Sequence, residues 1–482
     1  MYSPPTRPFL ARPPATLTVD RLLVWKTRTL ERSFDVVVLG AGPAGEVAAG
    51  RLGEAGLGVA LVEAELVGGE CSYYACMPSK ALLRPGELLA EVGRVPGVQG
   101  AGLDAARVLA RRDEVIHELD DSAQLPWLEA RGVKLARGHG RLDGERRVTV
   151  DENVLVATRA VVVATGSTSL MPPLPGLAEV KPWSNREATT SPAVPSSLLI
   201  LGGGVVGVEL AQAWASLGAK VIVVEGGRCV LAREEAFAGE QVAAGLRRLG
   251  VEVRTGVHAV AARRDAGAGD VTLELDDGSA VRGSELLVAV GRRPATKGIG
   301  LETIGLEPGK AIEVGPNLRA SGHPWLYAIG DVNGRAALTH MGKYQGRLAA
   351  DAILGKDVAL RSDGALSPRV IFTEPQVAAV GHTHASARDA GLNVRAVDVE
   401  TSDTAGASFV GRNAPGTSRL VIDEERRIVV GATFTGVETA ELLHAATIAV
   451  VGEVPLDTLW HAVPSFPTRN EIWLRLLESY GL

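Results

Sequence analysis

In VGGECSYYACMPSKALL, residues 67–83, Cys71 and Cys76 stand with four residues between them, and Lys80 follows close behind. The whole chain has only three cysteines, too few for a secretory disulfide framework. In a cytosolic protein such a pair is more often catalytic or metal-binding than structural. A structural zinc site needs four ligands. No third cysteine or nearby histidine accompanies this pair, so no metal is expected, and Cys229 reads as a bystander at a strand end. In a regular helix, residues five apart rise about 7.5 Å, beyond the roughly 4.4–6.8 Å between the Cα atoms of a disulfide. A Cys71–Cys76 bond therefore requires distorted backbone at the start of the following helix. PSKALL has helical periodicity and an early proline, the marks of a helix start, and a thiolate near a helix N-terminus is stabilised.

The elements that would position these thiols are legible as an internal repeat. FDVVVLGAGPAGEVAAGRLGEAGLGVALVE (34–63) and SLLILGGGVVGVELAQAWASLGAKVIVVE (197–225) each run apolar strand, G-x-G-x-x-G, alanine-rich helix, and second strand ending in glutamate. Gly40, Gly42 and Gly45 in the first copy match Gly202, Gly204 and Gly207 in the second. The first glycine permits the tight turn, the second lets a pyrophosphate approach, and the third lets helix pack on strand. The helix N-terminus offers unpaired N–H groups and positive dipole to phosphates. Glu63 and Glu225 are placed to accept hydrogen bonds from a ribose. Two complete units predict two dinucleotides. AVVVATGS (160–167) and LLVAVGRRP (286–294) read as strands crossing between domains. HPWLYAIGDVNG (323–334) ends a strand at Gly330-Asp331, where open α/β sheets bind ligands. From about residue 367 the pattern changes to antiparallel strands and a helix without a phosphate loop, expected to contact a partner subunit.

With 482 residues the chain predicts two to four domains. A net charge of -6 gives no electrostatic footprint for nucleic acid or anionic membrane. No apolar run reaches the roughly 18 residues of a membrane span. Residues 1–33 lack a signal peptide's apolar core and read as an extension; within it, LTVDRLLVWKTRTL (17–30) is expected to be a loose tail or a short packed element.

These motifs, in this order, resemble the class I pyridine nucleotide–disulfide oxidoreductases of the dihydrolipoamide dehydrogenase, glutathione reductase and mercuric reductase type. The resemblance runs from Phe34 onward and is carried most specifically by GGECSYYACMPSK, the two glycine motifs and YAIGDV. It implies an α/β fold with two Rossmann-like dinucleotide-binding domains, for FAD and NAD(P), plus a C-terminal α+β dimerisation domain. The expected bounds are 34–176 with 293–366 for FAD, 177–292 for NAD(P), and 367–482 for a homodimer interface. By position, Gly40, Gly42, Gly45, Glu63, Gly69, Lys80, Thr165, Gly166, Gly330, Asp331 and His340 attend FAD. Gly202, Gly204, Gly207, Glu225 and Gly291 attend the nicotinamide cofactor. Lys80 and Glu209 match a lysine–glutamate pair near flavin N5. The implied route takes a hydride from NAD(P)H to flavin, then two electrons to the disulfide, with Cys76 facing flavin and Cys71 attacking substrate. Glu225 would repel a 2′-phosphate, so NADH is preferred over NADPH, although Arg228 nearby could soften that choice.

One position departs from the family. Disulfide-reducing members carry H-P-T-x-x-E near the C-terminus, the histidine being the base and the glutamate its orienting partner. Here the stretch is FPTRNE, residues 466–471, so Phe466 stands at the histidine position while Glu471 is kept. His461 is ten residues from Glu471 rather than five and reads as a cap or interface residue. Tyr73 and Tyr74 are poor bases, with unperturbed pKa near 10. A general base contributes roughly 10²–10⁴-fold in rate, so efficient lipoamide or glutathione reduction is not expected. The chain ends LLESYGL, without the extra cysteine pair of mercuric reductases. The expectation is a cytoplasmic, homodimeric FAD enzyme passing electrons through Cys71–Cys76 to a small-molecule acceptor: a quinone, a dye, dioxygen or an activated disulfide. The alternatives are a dihydrolipoamide dehydrogenase with a non-standard base, a mercuric reductase-like enzyme, or a redox-sensing flavoprotein subunit.

Overall fold

The structure is a computed structural model and describes residues 31–100, 102–265 and 269–482. The stretch 17–30, expected to be a tail or short element, lies outside the described residues. The first strand, β1, already begins at Glu31 and pairs there with Val154, so the last three residues of the expected extension belong to the sheet.

Three sheets organise the chain. The first has the order Arg319–Ala320, His323–Ala328, Asn153–Val163, β1 (Glu31–Leu39), β2 (Val59–Glu63), Lys134–Arg137. Its four central pairings are parallel. Val36, Val37, Val38 and Val161 to Val163 are fully buried, as expected for strands covered on both faces, which read as continuous apolar runs. The second sheet is all parallel, in the order Glu252–Thr255, Lys220–Glu225, Ser197–Leu201, Glu285–Val288. Ser167–Ser169 and Arg292–Pro294 pair antiparallel and carry the chain between the two nucleotide units. The third sheet is five-stranded and antiparallel, from Arg369–Ile371 through Gln376–Gly381, Ile428–Gly436 and Thr417–Asp423 to Val394–Glu400. Helices Leu443–Val451 and Ile472–Tyr480 cover it through Leu443, Ala446, Ile472 and Leu476.

No helix among the described residues is long and apolar enough to cross a membrane.

Candidate functional site: a dithiol between two glycine-rich units

The two glycine-rich turns have nearly the same geometry. Gly40 and Gly202 adopt φ of 99° and 110°, backbone open to glycine at little cost. A Cβ on Gly45 would overlap the Gly40 carbonyl oxygen, and one on Gly207 would overlap that of Gly202. Protein packing alone therefore demands the first and third glycines. The second ones differ: a Cβ on Gly42 or Gly204 would meet nothing within 4 Å. They cap the helices α1 (Pro43–Glu54) and Val205–Ser216, whose first-turn amides lack intrahelical acceptors. Open space over a helix N-terminus fits a pyrophosphate in each unit.

Both terminal glutamates brace these turns. Glu63 accepts from the amides of Ala41 at 2.7 Å and Glu65 at 2.8 Å. Glu225 accepts from Gly203 and Gly227, each at 2.6 Å. Gly69 comes so near that a Cβ on it would lie 2.8 Å from the Gly42 Cα. Thr165 donates to the Ala295 carbonyl at 2.8 Å, and the Ala295 amide donates to that of Gly166 at 2.9 Å. Gly291 accepts from the Leu170 amide at 2.9 Å. Asp331, in the turn Gly330–Asn333, accepts from the Ser167 hydroxyl at 2.6 Å.

The cysteines sit on different helices. Cys71 lies in α2 (Gly69–Tyr73), and Cys76 is the first residue of α3 (Cys76–Arg94). Tyr74 (φ −131°, ψ −2°) and Ala75 (φ −134°, ψ −96°) break the helical path between them. This is the distortion that the spacing requires. Both thiols are free and half-buried. A hydrogen bond from Cys71, helped by Thr339 and Lys80, holds the Cys76 thiol down at about 6 against its own burial. The same hydrogen bond, with burial, pushes Cys71 up. The hydrogen bond between them therefore favours Cys76 over Cys71 as the thiolate of the pair. Cys229 lies in the loop after Lys220–Glu225, in the second nucleotide unit.

Lys80 and Glu209 meet across 129 residues, Nζ to Oε2 at 2.7 Å. Glu209 is buried and also accepts from the Phe372 amide at 2.9 Å, so this carboxylate joins the three parts of the molecule. Lys80 Nζ also lies 4.7 Å from the centroid of the Phe372 ring.

The helix Thr339–Ile353 brings Thr339 to the dithiol, its hydroxyl 3.4 Å from the Cys76 sulfur. His340, the residue singled out in the sequence, is exposed instead, and its Nε2 bonds the Pro368 carbonyl at 2.7 Å. Thr339 escaped sequence reasoning because adjacent helical residues point about 100° apart, and only packing decides which one faces inward.

Phe466 is 77% exposed. Glu471 accepts from the Gly406 amide at 3.0 Å and the Thr468 amide at 3.2 Å. It closes a capping box with Thr468 and so fixes the loop. His461 is exposed just after the helix Leu456–Leu459, its amide donating to the Thr458 carbonyl at 3.1 Å. Tyr73 is buried with its hydroxyl unpartnered, and burial pushes it up to about 12; burial also raises Tyr74, against the Arg186 guanidinium over its ring.

Residues 34–346 match the pyridine nucleotide-disulphide oxidoreductase family, and residues 367–476 match its dimerisation domain. Dihydrolipoyl dehydrogenase of Thermus scotoductus is 33% identical over 461 residues, 93% of this chain and 97% of that protein. Mercuric reductase of Shigella flexneri is 31% identical over 444 residues, 89% of this chain and 77% of that protein. Among solved structures, LpdA of Mycobacterium tuberculosis matches with TM-score 0.81 at 25% identity, covering 93% of this chain and 99% of that one. The fold is also shared with RclA of Escherichia coli, an HOCl-induced flavoprotein disulfide reductase solved as a Cu(II) complex, at TM-score 0.82, 23% identity, 93% of this chain and 99% of that one. The chain therefore belongs to the pyridine nucleotide-disulphide oxidoreductases and is a flavin-dependent enzyme of that family, working with a pyridine nucleotide.

Proposed function

We propose that this enzyme moves electrons from NADH through FAD to the Cys71–Cys76 pair, and from Cys71 to a small-molecule acceptor that does not need the family's histidine. The observation that carries the reading is the placement of the thiol pair: Cys76 opens a helix with its sulfur 3.4 Å from the Thr339 hydroxyl, Lys80 lowers its pKa, and the hydrogen bond from Cys71 favours Cys76 as the thiolate. Gly40, Gly42, Gly45 and Glu63 would hold the FAD pyrophosphate and adenosine, with Asp331 at the ribityl chain. Gly202, Gly204, Gly207 and Glu225 would hold the nicotinamide dinucleotide. Bound FAD supplies the two-electron link between nicotinamide and dithiol. Lys80 and Glu209 fix a positive charge near the Cys76 thiolate, and Thr339 bonds its sulfur. Glu225, braced at the end of its strand, disfavours a 2′-phosphate, and the Arg228 side chain is exposed, so NADH is the favoured donor.

Quinones, dyes, dioxygen and activated disulfides suit a site whose C-terminal loop carries Phe466. A second copy of the chain is the expected partner, in the cytoplasm: Phe409, Val463 and Phe466 are 73%, 83% and 77% exposed on the part that matches the dimerisation domain.

Anaerobic titration of the yellow holoenzyme with NADH tests the relay. A long-wavelength thiolate-to-flavin charge-transfer band after two electrons supports it, and simple bleaching of the flavin refutes it. NADPH should titrate less effectively. The second reading, dihydrolipoamide dehydrogenase, is favoured by the names of several relatives; rapid NAD+ reduction by dihydrolipoamide would establish it and remove the argument from Phe466.

A further inference from the structure

Asn185 uses every hydrogen-bonding position of its side chain. Its Nδ2 donates to the Tyr74 carbonyl at 2.8 Å and to Glu70 Oε2 at 2.9 Å. Its Oδ1 accepts from the Ser169 hydroxyl at 2.8 Å and from Arg292 Nη1 at 3.1 Å. Ser169 and Arg292 lie on the two antiparallel strands that carry the chain between the nucleotide units, so these partners fix which end of the amide faces the cysteine segment. Asn185 is buried and opens the short helix Asn185–Thr190, which starts in a capping box of Ser184 and Glu187. Just before it, the Trp183 amide donates to the Leu286 carbonyl at 2.7 Å, and the Trp183 carbonyl accepts from the Val288 amide at 2.9 Å. The helix is thus anchored to the second sheet, whereas α2 and α3 follow β2 of the first.

This helix holds the chain on both sides of Cys71. On one side, Glu70 accepts from Asn185 and pairs with the Arg186 guanidinium. Arg186 Nη2 also lies 2.9 Å from Glu65 Oε2, and its guanidinium stands 4.5 Å from the centroid of the Tyr74 ring. On the other side, the Tyr74 carbonyl accepts from Asn185 and, at 3.0 Å, from the Thr189 hydroxyl. Tyr74 is where the helical path between the cysteines breaks. A carbonyl at a helix end lacks an intrahelical donor, and these two side chains supply it. Both thiols are free, yet the linker already follows the non-helical path that their spacing demands of a bond. Its shape is held by contacts from outside the Cys71–Cys76 segment.

We propose that Asn185 and Thr189 are positioning residues for the dithiol: they keep the Tyr74–Ala75 linker in one shape in both oxidation states and so favour the disulfide over the open pair. This rests on the dithiol reading above and adds the device that sets the pair's potential. A cross-link costs the freedom of the loop that it closes. With the linker fixed beforehand, closing the bond loses less freedom. The oxidised form is then relatively more stable, and the reduced pair is the stronger reductant toward an acceptor. Opening the Cys71–Cys76 bond takes the two electrons of one hydride and, with one proton, gives two thiols. Closing it delivers two electrons and two protons to the acceptor. Asn185→Asp is a selective probe of this hold. An aspartate keeps both acceptor positions for Ser169 and Arg292, and it loses the two N–H donors that face Tyr74 and Glu70.

The test equilibrates the FAD-bound enzyme anaerobically with mixtures of reduced and oxidised dithiothreitol, traps the thiols by alkylation, and reads the reduced fraction of the peptide holding Cys71 and Cys76 by mass. Each exchange breaks one S–S bond and forms one. Asn185→Asp should shift the equilibrium toward the dithiol by about 10-fold, a potential about 30 mV higher. Thr189→Val removes one donor at nearly constant shape and should shift it about 3-fold, and Thr189→Ser should restore the native value. Ser191→Ala, which loses only a bond to the Ala193 carbonyl just past the same helix, is the control. An unchanged equilibrium in Asn185→Asp and Thr189→Val overturns the proposal, even where their melting temperatures fall, and so does a shift toward the disulfide. If Asn185→Asp does not fold, Thr189→Val decides alone. A shifted equilibrium in an enzyme whose native form shows no charge-transfer band would leave this role standing and sink the relay instead.

Discussion

The dithiol segment and the C-terminal loop both lie in regions that match the family, yet this chain equips them very differently. Around Cys71 and Cys76 the groups are paired across the fold: Thr339 with the Cys76 sulfur, and Lys80 with a buried Glu209 that also takes the Phe372 amide. In the C-terminal loop the acid is used for architecture, Glu471 fastening Thr468 and Gly406, and Phe466 projects with nothing ionisable on it. The difference teaches that the surroundings of the thiols and the shape of the C-terminal loop are set by separate contacts, so the proposed electron relay does not depend on what the loop carries at Phe466.

Removing the relay should have the largest effect. Cys76→Ser is expected to abolish the charge-transfer band and to lower disulfide-acceptor turnover by about 10³-fold or more, the scale of losing a covalent nucleophile's partner. Retention of the band in that variant would show that the thiolate beside flavin is not Cys76. The glycine turns come next. Gly204→Val enters open space and should fold normally while raising the KM for NADH roughly 30-fold, about 2 kcal/mol. Gly207→Val overlaps the Gly202 carbonyl and should fail to fold. If Gly204→Val left KM unchanged, the open space would not be the phosphate site.

Lys80→Met separates charge from packing. It leaves Glu209 buried without its cation, at a cost of about 2 kcal/mol. That is below the roughly 3–5 kcal/mol of a fully buried pair, because the Lys80 side chain is 36% exposed. Lys80 lowers Cys76, so its loss must raise that thiol. In the native enzyme the charge-transfer band should persist as pH falls to about 6 and fade below. In Lys80→Met it should fade at higher pH, and absorbance at long wavelength against pH reads the shift directly.

Much of this arrangement is legible in the sequence because it is local. The glycine triplets, their terminal glutamates and the broken helix at Tyr74–Ala75 all follow from spacing within thirty residues or so, as steric rules operate over that range. The Lys80–Glu209 pair is legible only through family resemblance, since nothing in residues 67–83 points to a helix 129 positions away. Thr339 was obscured by His340, its more conspicuous neighbour. Glu471 is the opposite case: the motif suggests an orienting acid, and only the structure shows that one of its oxygens accepts from the Gly406 and Thr468 amides.

That last point sets the smallest expected effect. Phe466→His restores the family's residue type at the position where a base contributes roughly 10²–10⁴-fold. A positioned base needs an orienting acid as well as an imidazole, and one Glu471 oxygen already serves two backbone amides. The capping box also fixes the loop backbone around Thr468 and Glu471. Reduction of an unactivated disulfide such as hydroxyethyl disulfide should therefore rise by less than about 10-fold, with no new limb near the unperturbed histidine pKa of about 6.5 in the pH profile. A gain of about 100-fold, with such a limb, would mean that the loop is still poised for acid–base work. The separation between electron and proton machinery would then rest on one side chain rather than on the architecture around it.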